Sequence, residues 1–481
     1  MTTNLLANFI RDCEDPTSYP TRLKHTHLLP YALRRYEELL NEEAPRIFIK
    51  TPDDWKIRFW DCYDHKKEYP FQADDYTSLQ ELQDRFLVGS KNKKTKPVCR
   101  HVFIEANHSL APLNCSQEML TTLFFYYQVM PQFLDIVLSF GPLRGRAIST
   151  AAQRCIFEYE DLSRSDARKF VIRQLVDRSG LEIRYCYNLW SVEKSDHGKC
   201  PWAIRQAGLY HSVDVPSGSS TWIHVKANNV LRNRIKEATM SANYKADDRH
   251  VIEGLATNLV MFEWCKENWH RYLAHLECGL VEILTKLQEA PIKQAAAEVQ
   301  KADSDNVDGF QPVSEPVSSA RLGYQQMNSN LTGTTLKAAS TEADYLPRIS
   351  DSASSSGEID PIEVFNEFKF GDLQNLYILH NKLQEADMIL NMNSDILVEV
   401  LEFYQHYLKD EDENDSPDAL SSFTQRTNKI VAELQRERKR IATLISLLES
   451  GKSHFHAIVR FKNTELSRFS SRRVESLAED M

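Results

Sequence analysis

No run of about 18 consecutive apolar residues occurs in this sequence of 481 residues, so it offers no segment of the length that crosses a bilayer as a helix. The nearest approach, Leu123 to Phe140 (LFFYYQVMPQFLDIVLSF), is interrupted by Gln128, Pro131, Gln132 and Asp135 and reads as buried helix. An excess of basic residues is also missing. Lys and Arg number 58 against 68 Asp and Glu, a net charge of −10, which argues against a polyanion-binding chain as a whole. The first residues, MTTNLLANFIRDCEDP, lack a basic region followed by an apolar core, so no secretory signal is expected. The nine cysteines, at 13, 62, 99, 115, 155, 186, 200, 265 and 278, include no CxxC pair, and their number is odd. They read as reduced thiols of a cytosolic protein, in which the Asn-x-Ser/Thr triplets at Asn107, Asn114 and Asn330 are chance matches.

Enzyme signatures are absent too. The chain has no HExxH, no GxSxG, no GxGxxG after a strand and no kinase set. Gly141-Pro142-Leu143-Arg144-Gly145-Arg146 has the glycines of a phosphate loop but not its GK[ST] end. No catalytic residue and no cofactor is assigned, and the chain is expected not to be an enzyme. What is present is an ordinary globular composition, 42% apolar and 26% charged, which excludes a fully disordered, collagenous or simple fibrous chain.

Three regions separate by pattern. Residues 1–287 carry all seven tryptophans and mix both periodicities, which predicts an α+β (mixed α/β layered) domain. Residues 288–359 are rich in Ser, Ala, Gly, Asp and Gln with scattered large apolar residues. Such a segment cannot bury enough surface to offset the entropy of ordering it, so a disordered linker is expected, with its serines as phosphorylation targets. Residues 360–481 read as a long antiparallel helical hairpin, or stalk. Leu376, Leu379, Leu383, Leu390, Leu397, Leu401, Tyr404 and Leu408 form one apolar stripe, and Ile430, Leu434, Ile441, Leu444, Leu448, Phe455 and Ile458 a second. Between them lies an acidic turn, 410–418 (DEDENDSPD), with Pro417 as a stop. The two arms differ in sign. Pro361–Asp418 holds three Lys/Arg against fourteen Asp/Glu (net −11), and Ala419–Met481 holds twelve against seven (net +5), which favours their packing together.

Within the first region, Arg46–Lys50 (RIFIK), Trp55–Tyr63 and Arg100–Glu105 are predicted strands. Leu181–Leu189 alternates, with Leu181, Ile183, Tyr185, Tyr187 and Leu189 on one face and Glu182, Arg184, Cys186 and Asn188 on the other. Trp202–Val215 and Thr221–Lys226, joined by Pro216-Ser217-Gly218-Ser219-Ser220, suit a hairpin. Helices are predicted over Pro30–Asn41, Ser116–Leu138, Ser165–Arg178 and Val251–Leu287.

Few residues offer ligand chemistry. Asp410, Glu411, Asp412, Glu413 and Asp415 supply hard oxygen ligands and are the candidate metal residues for Mg²⁺ or Ca²⁺, although the spaced pattern of a calcium loop is missing and a solvated hinge is the plainer reading. His270 and His275 lie five apart on a predicted helix, about 140° out of line, so they do not face one ion. His211 and His224 stand on neighbouring predicted strands and read as sheet histidines that could meet. Arg184 and Arg205 are expected to pair with Glu182 or Asp214 across strands. The basic run Arg436, Arg438, Lys439 and Arg440 lacks interleaved aromatics and shares its helix with Glu433 and Glu437, so no nucleic-acid partner is expected.

Several stretches together carry a family likeness. CRHVFIEANHSLAPLNCSQEML leads into YYQVMPQFLDIVLSFG (Cys99–Gly141), followed by RYCYNLWSVE (Arg184–Glu193), PWAIRQAGLYHSVDVPSGSSTWIHVKAN (Pro201–Asn228) and NWHRYLAHLE (Asn268–Glu277). These resemble the cytoplasmic region of fungal proteins carrying a CorA-like transporter domain. LISLLESGKSHFHAIVRFKNTELSRFSSRRVESLAEDM resembles the stalk helix that leads into their membrane spans. The likeness covers most of the chain outside the linker, and its motifs are packing motifs. It implies divalent-cation transport with Mg²⁺ sensed or carried, pentameric assembly, an α/β funnel domain, a long stalk and two membrane helices. Neither span and no Gly-Met-Asn pore signature occurs in this sequence, and Ala227 stands where the family turn has glycine. The expectation is therefore a sensor-and-stalk portion that is cytoplasmic as written. It would be a homo-oligomer through its stalk, membrane-bound only if further spans exist beyond Met481. The alternative is a soluble scaffold that binds partners or oligomerises through its helical hairpin.

Overall fold

The structure, a computed structural model, describes residues 2–23, 26–63, 71–89, 97–141, 155–163, 179–195, 200–241, 249–289, 370–407 and 417–479. Runs of alternating large apolar residues build a seven-stranded sheet from β1 (Ile57–Cys62), β2 (Phe71–Tyr76), β3 (Cys99–Ile104), β4 (Phe157–Asp161), β5 (Glu182–Lys194), β6 (Trp202–Asp214) and β7 (Ser219–Val225). Their order is β2-β1-β3-β7-β6-β5-β4. All neighbours are antiparallel except the parallel pair β3–β7. The mixed sheet followed by long helices is the α+β architecture with a helical hairpin that the patterning predicts.

One face of the sheet carries an extensive apolar core. Phe59, Val102, Ile104, Cys186, Tyr210, Ile223 and Val225 pack there against helices α1 (Thr2–Glu14), α2 (Pro30–Ile47), α3 (Leu79–Gly89), α4 (Gln117–Tyr126) and α5 (Phe133–Leu138). Asp61 is buried on this face between Arg85 and Arg100, at 2.7 Å and 2.6 Å. Burial alone would raise its pKa, but the two guanidiniums hold it below the usual carboxylate range. The other face carries Tyr185, Tyr187, His211 and Trp222. It meets α7 (Arg249–Lys266) and α9 (Phe370–Tyr407) through Asn258 and Tyr404. Because both faces are covered, Ile183 to Leu189 is buried at every position.

Three predicted elements are corrected. RIFIK is not a strand. Helix α2 continues through Pro45 to Ile47, and only Phe48 reaches a bridge, with Leu113. Long-range bonds hold this end, since Arg46 donates to Phe140 O at 2.5 Å and Leu138 O at 2.7 Å. The helix over Ser116–Leu138 is two, α4 and α5, because Gln128 takes φ 49° just before Pro131. The helix over Val251–Leu287 is also two. Asn268 turns to φ 64° between α7 and α8 (Trp269–Glu289), and its side-chain amide bonds Val192 O at 3.0 Å. The predicted helix Ser165–Arg178 lies outside the described residues, as does the expected linker 288–359 apart from its first two positions, which end α8.

Helices α9 and α10 (Pro417–Glu479) pair antiparallel: Tyr404 meets Phe423, Arg438 bonds Asp387 and His380 meets Glu449. The two apolar stripes supply the contact, with Leu383, Leu390 and Leu397 facing inward on α9 and Ile430, Leu434, Ile441 and Leu448 on α10. The chain divides into two compact units. One comprises Met1–Val281 with Leu376–Glu449, and the other Glu282–Asn375 with Ser450–Met481. In the second unit Gly451 lies so close against Leu284 that a Cβ there would overlap it.

Candidate functional site

The most elaborate polar cluster of the first unit lies where α9 crosses the sheet. Tyr185 and Tyr187 point from β5 toward the helices because alternate residues of a strand share a face. The Tyr185 and Tyr404 hydroxyls are 2.9 Å apart. The Asn258 side-chain amide, from α7, donates to Tyr185 Oη at 2.7 Å and to Gly254 O at 2.8 Å, and lies 3.1 Å from Tyr404 Oη. Its carbonyl accepts from Tyr187 Oη at 2.6 Å. Gly254 is required by this packing, because a Cβ there would sit 2.6 Å from Tyr404 Oη. Burial pushes the Tyr185, Tyr187 and Tyr404 phenols up, so all three stay protonated at neutral pH.

A second polar contact lies further along α9. β4 pairs with β5 only as far as Tyr187, and beyond it the backbone of Trp190 is met by the fully buried Asn393. Asn393 Nδ2 donates to Trp190 O at 2.7 Å, and Trp190 N donates to Asn393 Oδ1 at 3.1 Å. The side-chain amide thus substitutes for a neighbouring strand. Beside it is a groove of about 360 Å³ lined by Cys155, Phe157, Glu158, Asp395, Ile396 and Glu399. Burial raises the Glu158 pKa, assisted by Asp135 and Glu160, and burial raises that of Glu399, assisted by Asp395 and Glu402. This is like-charge crowding.

A ladder of buried rings crosses the same face. His211 stacks on Trp222 with centroids 3.6 Å apart, and His101 Nδ1 lies 3.0 Å from His224 Nε2. His224 therefore bonds to His101 rather than to His211, because the register sets Leu209 opposite His224 and Trp222 opposite His211. Burial holds His101 neutral, with its pKa lowered to about 3, and burial also holds the pKa of His224 well below the ordinary imidazole range, with help from His101 and His211.

The other residues singled out in the sequence fall into structural roles or outside the described residues. Asp410, Glu411, Asp412, Glu413 and Asp415 lie outside them, as do Pro142 to Arg146. Arg184, expected beside Glu182 or Asp214, feels the charge of Glu182 but finds its ion-pair partner on β4. It is fully buried against Glu160 at 2.7 Å and donates to Gln128 O, because β4 brings Glu160 opposite it. Arg205 meets Glu193 at 3.5 Å. His270 and His275 are exposed on α8, and His270 lies by Glu437 and Arg440. The basic run is drawn into ion pairs, Arg438 with Asp387 and Arg440 with Glu277. Among the described residues, no set of three or more His, Cys, Asp or Glu side chains is arranged to hold a metal ion, and no helix is long and apolar enough to cross a membrane.

The tyrosine–asparagine cluster itself escapes sequence reasoning, since Tyr185 and Tyr404 stand 219 positions apart. Asn393 did leave a signal, a lone amide within the apolar stripe of α9. The arrangement contains no assembled nucleophile and base. What it does is fix α9 to β5 and α7 with directional bonds. Compared with known families, the chain matches the family model of CorA-like transporters over residues 11–288. No curated protein gives a significant match.

Proposed function

The chain belongs to the CorA-like transporters, and from that premise we propose that it forms the cytoplasmic sensor-and-stalk part of a divalent-cation transport protein, with Mg²⁺ as the ion sensed or carried. The observation that supports this reading is the docking of the α9–α10 hairpin onto the family domain through Tyr404 and Asn393. A helix hairpin bonded to the sheet at two points moves when the sheet and α7 move, which is what a stalk coupled to a sensing domain needs. In this reading the stalk also mediates self-association. The carboxylates Asp410, Glu411, Asp412, Glu413 and Asp415 remain the first residues to replace in a search for the sensing site.

The test is a Mg²⁺ titration of the full chain, followed by hydrogen exchange and by sedimentation. Sensing through the hairpin predicts a saturable change in protection of α9 amides and a shift in oligomer distribution, both absent with Na⁺ at matched ionic strength. A monomer at every Mg²⁺ concentration, with unaltered exchange, would refute the proposal. A scaffold without cation response is the reading that would then stand.

A further inference from the structure

Strands β1 and β3 place two cysteines directly opposite each other: Cys62 is the register partner of Cys99. Alternation puts both on the face that carries Trp60, His101 and Phe103, where Trp60 packs against Phe103 with centroids 4.7 Å apart. Both thiols are fully buried at the strand ends. Facing positions of an antiparallel pair hold their Cβ atoms about 4.5–5.5 Å apart, while a disulfide needs about 3.5–4.5 Å, so bridging requires only a small closing of the ladder. Cys99 Sγ also lies 3.3 Å from His101 Nε2. Of the remaining cysteines, Cys155 and Cys200 are half-buried and Cys278 is exposed, and no strand register sets any of the three opposite a second cysteine.

We propose that Cys62 and Cys99 form a reversible cross-strand disulfide by exchange with a small-molecule disulfide such as oxidised glutathione. The first step takes place when the strand ends open and expose Cys99. There His101, no longer held neutral by burial, takes the Cys99 proton. The Cys99 thiolate attacks one sulfur of the small disulfide, forming a mixed disulfide and expelling a thiolate, which takes that proton. Cys62 then attacks Cys99 Sγ, forming the Cys62–Cys99 bond as the bond from Cys99 to the small molecule breaks, and the Cys62 proton passes to the departing sulfur, which leaves as the second small thiol. Two protein thiols are oxidised and one disulfide is reduced to two thiols. The ladder must tighten to accommodate the bond, and strained disulfides are the readily reduced ones, so the bridge reopens when the thiol pool recovers. The resulting site is a redox modification site independent of ion transport.

The experiment incubates the full chain with oxidised glutathione, quenches and alkylates it in denaturant, and maps cysteines by mass spectrometry before and after reduction. The expected result is a Cys62–Cys99 linked peptide pair lighter by two hydrogens, lost on reduction. In Cys62→Ser the expected product is a glutathione adduct on Cys99 in place of the link. Exposed Cys278 reports that the reagent is active. Glutathione on Cys278 with Cys62 and Cys99 each separately alkylated would overturn the proposal, as would a link from Cys99 to any cysteine other than Cys62.

Discussion

Removing the Tyr404 hydroxyl tests whether the buried phenols hold the hairpin on the domain. Asn258 Nδ2 has two protons, and its two shortest contacts are Tyr185 Oη at 2.7 Å and Gly254 O at 2.8 Å, which leaves the 3.1 Å approach to Tyr404 the weakest. Tyr185 then accepts from Asn258 and gives its own proton to Tyr404, 2.9 Å away. Tyr404→Phe therefore strands a buried Tyr185 hydroxyl proton, at a cost of about 1–3 kcal/mol. With about 2 kcal/mol at the centre of that range, opening of α9 becomes roughly 30-fold more frequent, since about 1.4 kcal/mol is one decade.

Hydrogen exchange resolved to α9 peptides measures this directly, without assuming that a chain of this size unfolds in one step. Tyr185→Phe removes the donor and leaves Tyr404 beside Asn258, so it should cost less. The double variant strands one Asn258 N–H in place of the Tyr185 proton, a single unsatisfied donor in all, and should cost about 1 kcal/mol less than the sum of the single variants. Exchange of α9 that is unchanged in Tyr404→Phe, or effects that add to within about 0.5 kcal/mol, would refute the assigned directions.

Four further outcomes follow from the same geometry. Asn393→Leu leaves the Trp190 N–H and C=O without partners, so the Trp190 amide should exchange faster and the chain should lose about 2–4 kcal/mol, read by denaturant midpoint. Gly254→Ala forces a Cβ against Tyr404 Oη and should cost about 1–3 kcal/mol, seen as a lower Tm and as faster exchange concentrated in α9. The raised pKa of Glu399 means that the folded state binds its proton more tightly than the unfolded state. That stabilisation is present at low pH and is lost as pH rises from the ordinary carboxylate range through the raised folded value, so Glu399→Gln should raise Tm at pH 7 and flatten this fall. His101 has the opposite sign. Its pKa lowered to about 3 makes the unfolded state the better proton acceptor, so stability should fall as pH drops below about 6.5, and a Tm profile of His101→Gln should fall less steeply.

Elements whose period dominates over many residues were legible from the sequence. β6 and β7 emerge within two residues of their predicted bounds, while β5 starts close to its predicted bound but runs on to Lys194. The stripes of α9 and α10 bury the residues that define them, apart from Leu379, which is half-buried, and Leu408, which lies outside the described residues. The helix breaks were not legible. Asn268 leaves helical geometry with its side chain bonded to Val192, a partner 76 positions away, while the local pattern of Leu259, Phe262, Trp269 and Leu273 reads through the break. RIFIK alternates like a strand, yet Arg46 is captured by carbonyls more than 90 positions distant. Charge was legible in part: the acidic α9 does meet the basic α10 at Asp387 and Arg438. α10 also spends Arg426 and Arg440 on Glu263 and Glu277 of α7 and α8, which no count over the two arms could reveal.

Charge attraction is also too weak to position the hairpin. Asp387 and Arg438 are each more than one-third exposed, and such pairs contribute about 0–1 kcal/mol. The apolar stripes supply more energy but little register, since a slide of one helical turn along a leucine-rich stripe buries a similar area. Buried polar groups lack that freedom. Asn393 satisfies both backbone groups of Trp190 only at one position along β5, and Tyr404 meets Tyr185 and Asn258 only at that same setting, eleven residues further on. A slide that broke one pair would break the other, leaving several buried donors and acceptors unsatisfied at about 1–3 kcal/mol each. The hairpin is held by its leucines and is registered by two side-chain amides and three phenols, so any motion of the sheet near β5 or of α7 is handed to α9 at those contacts.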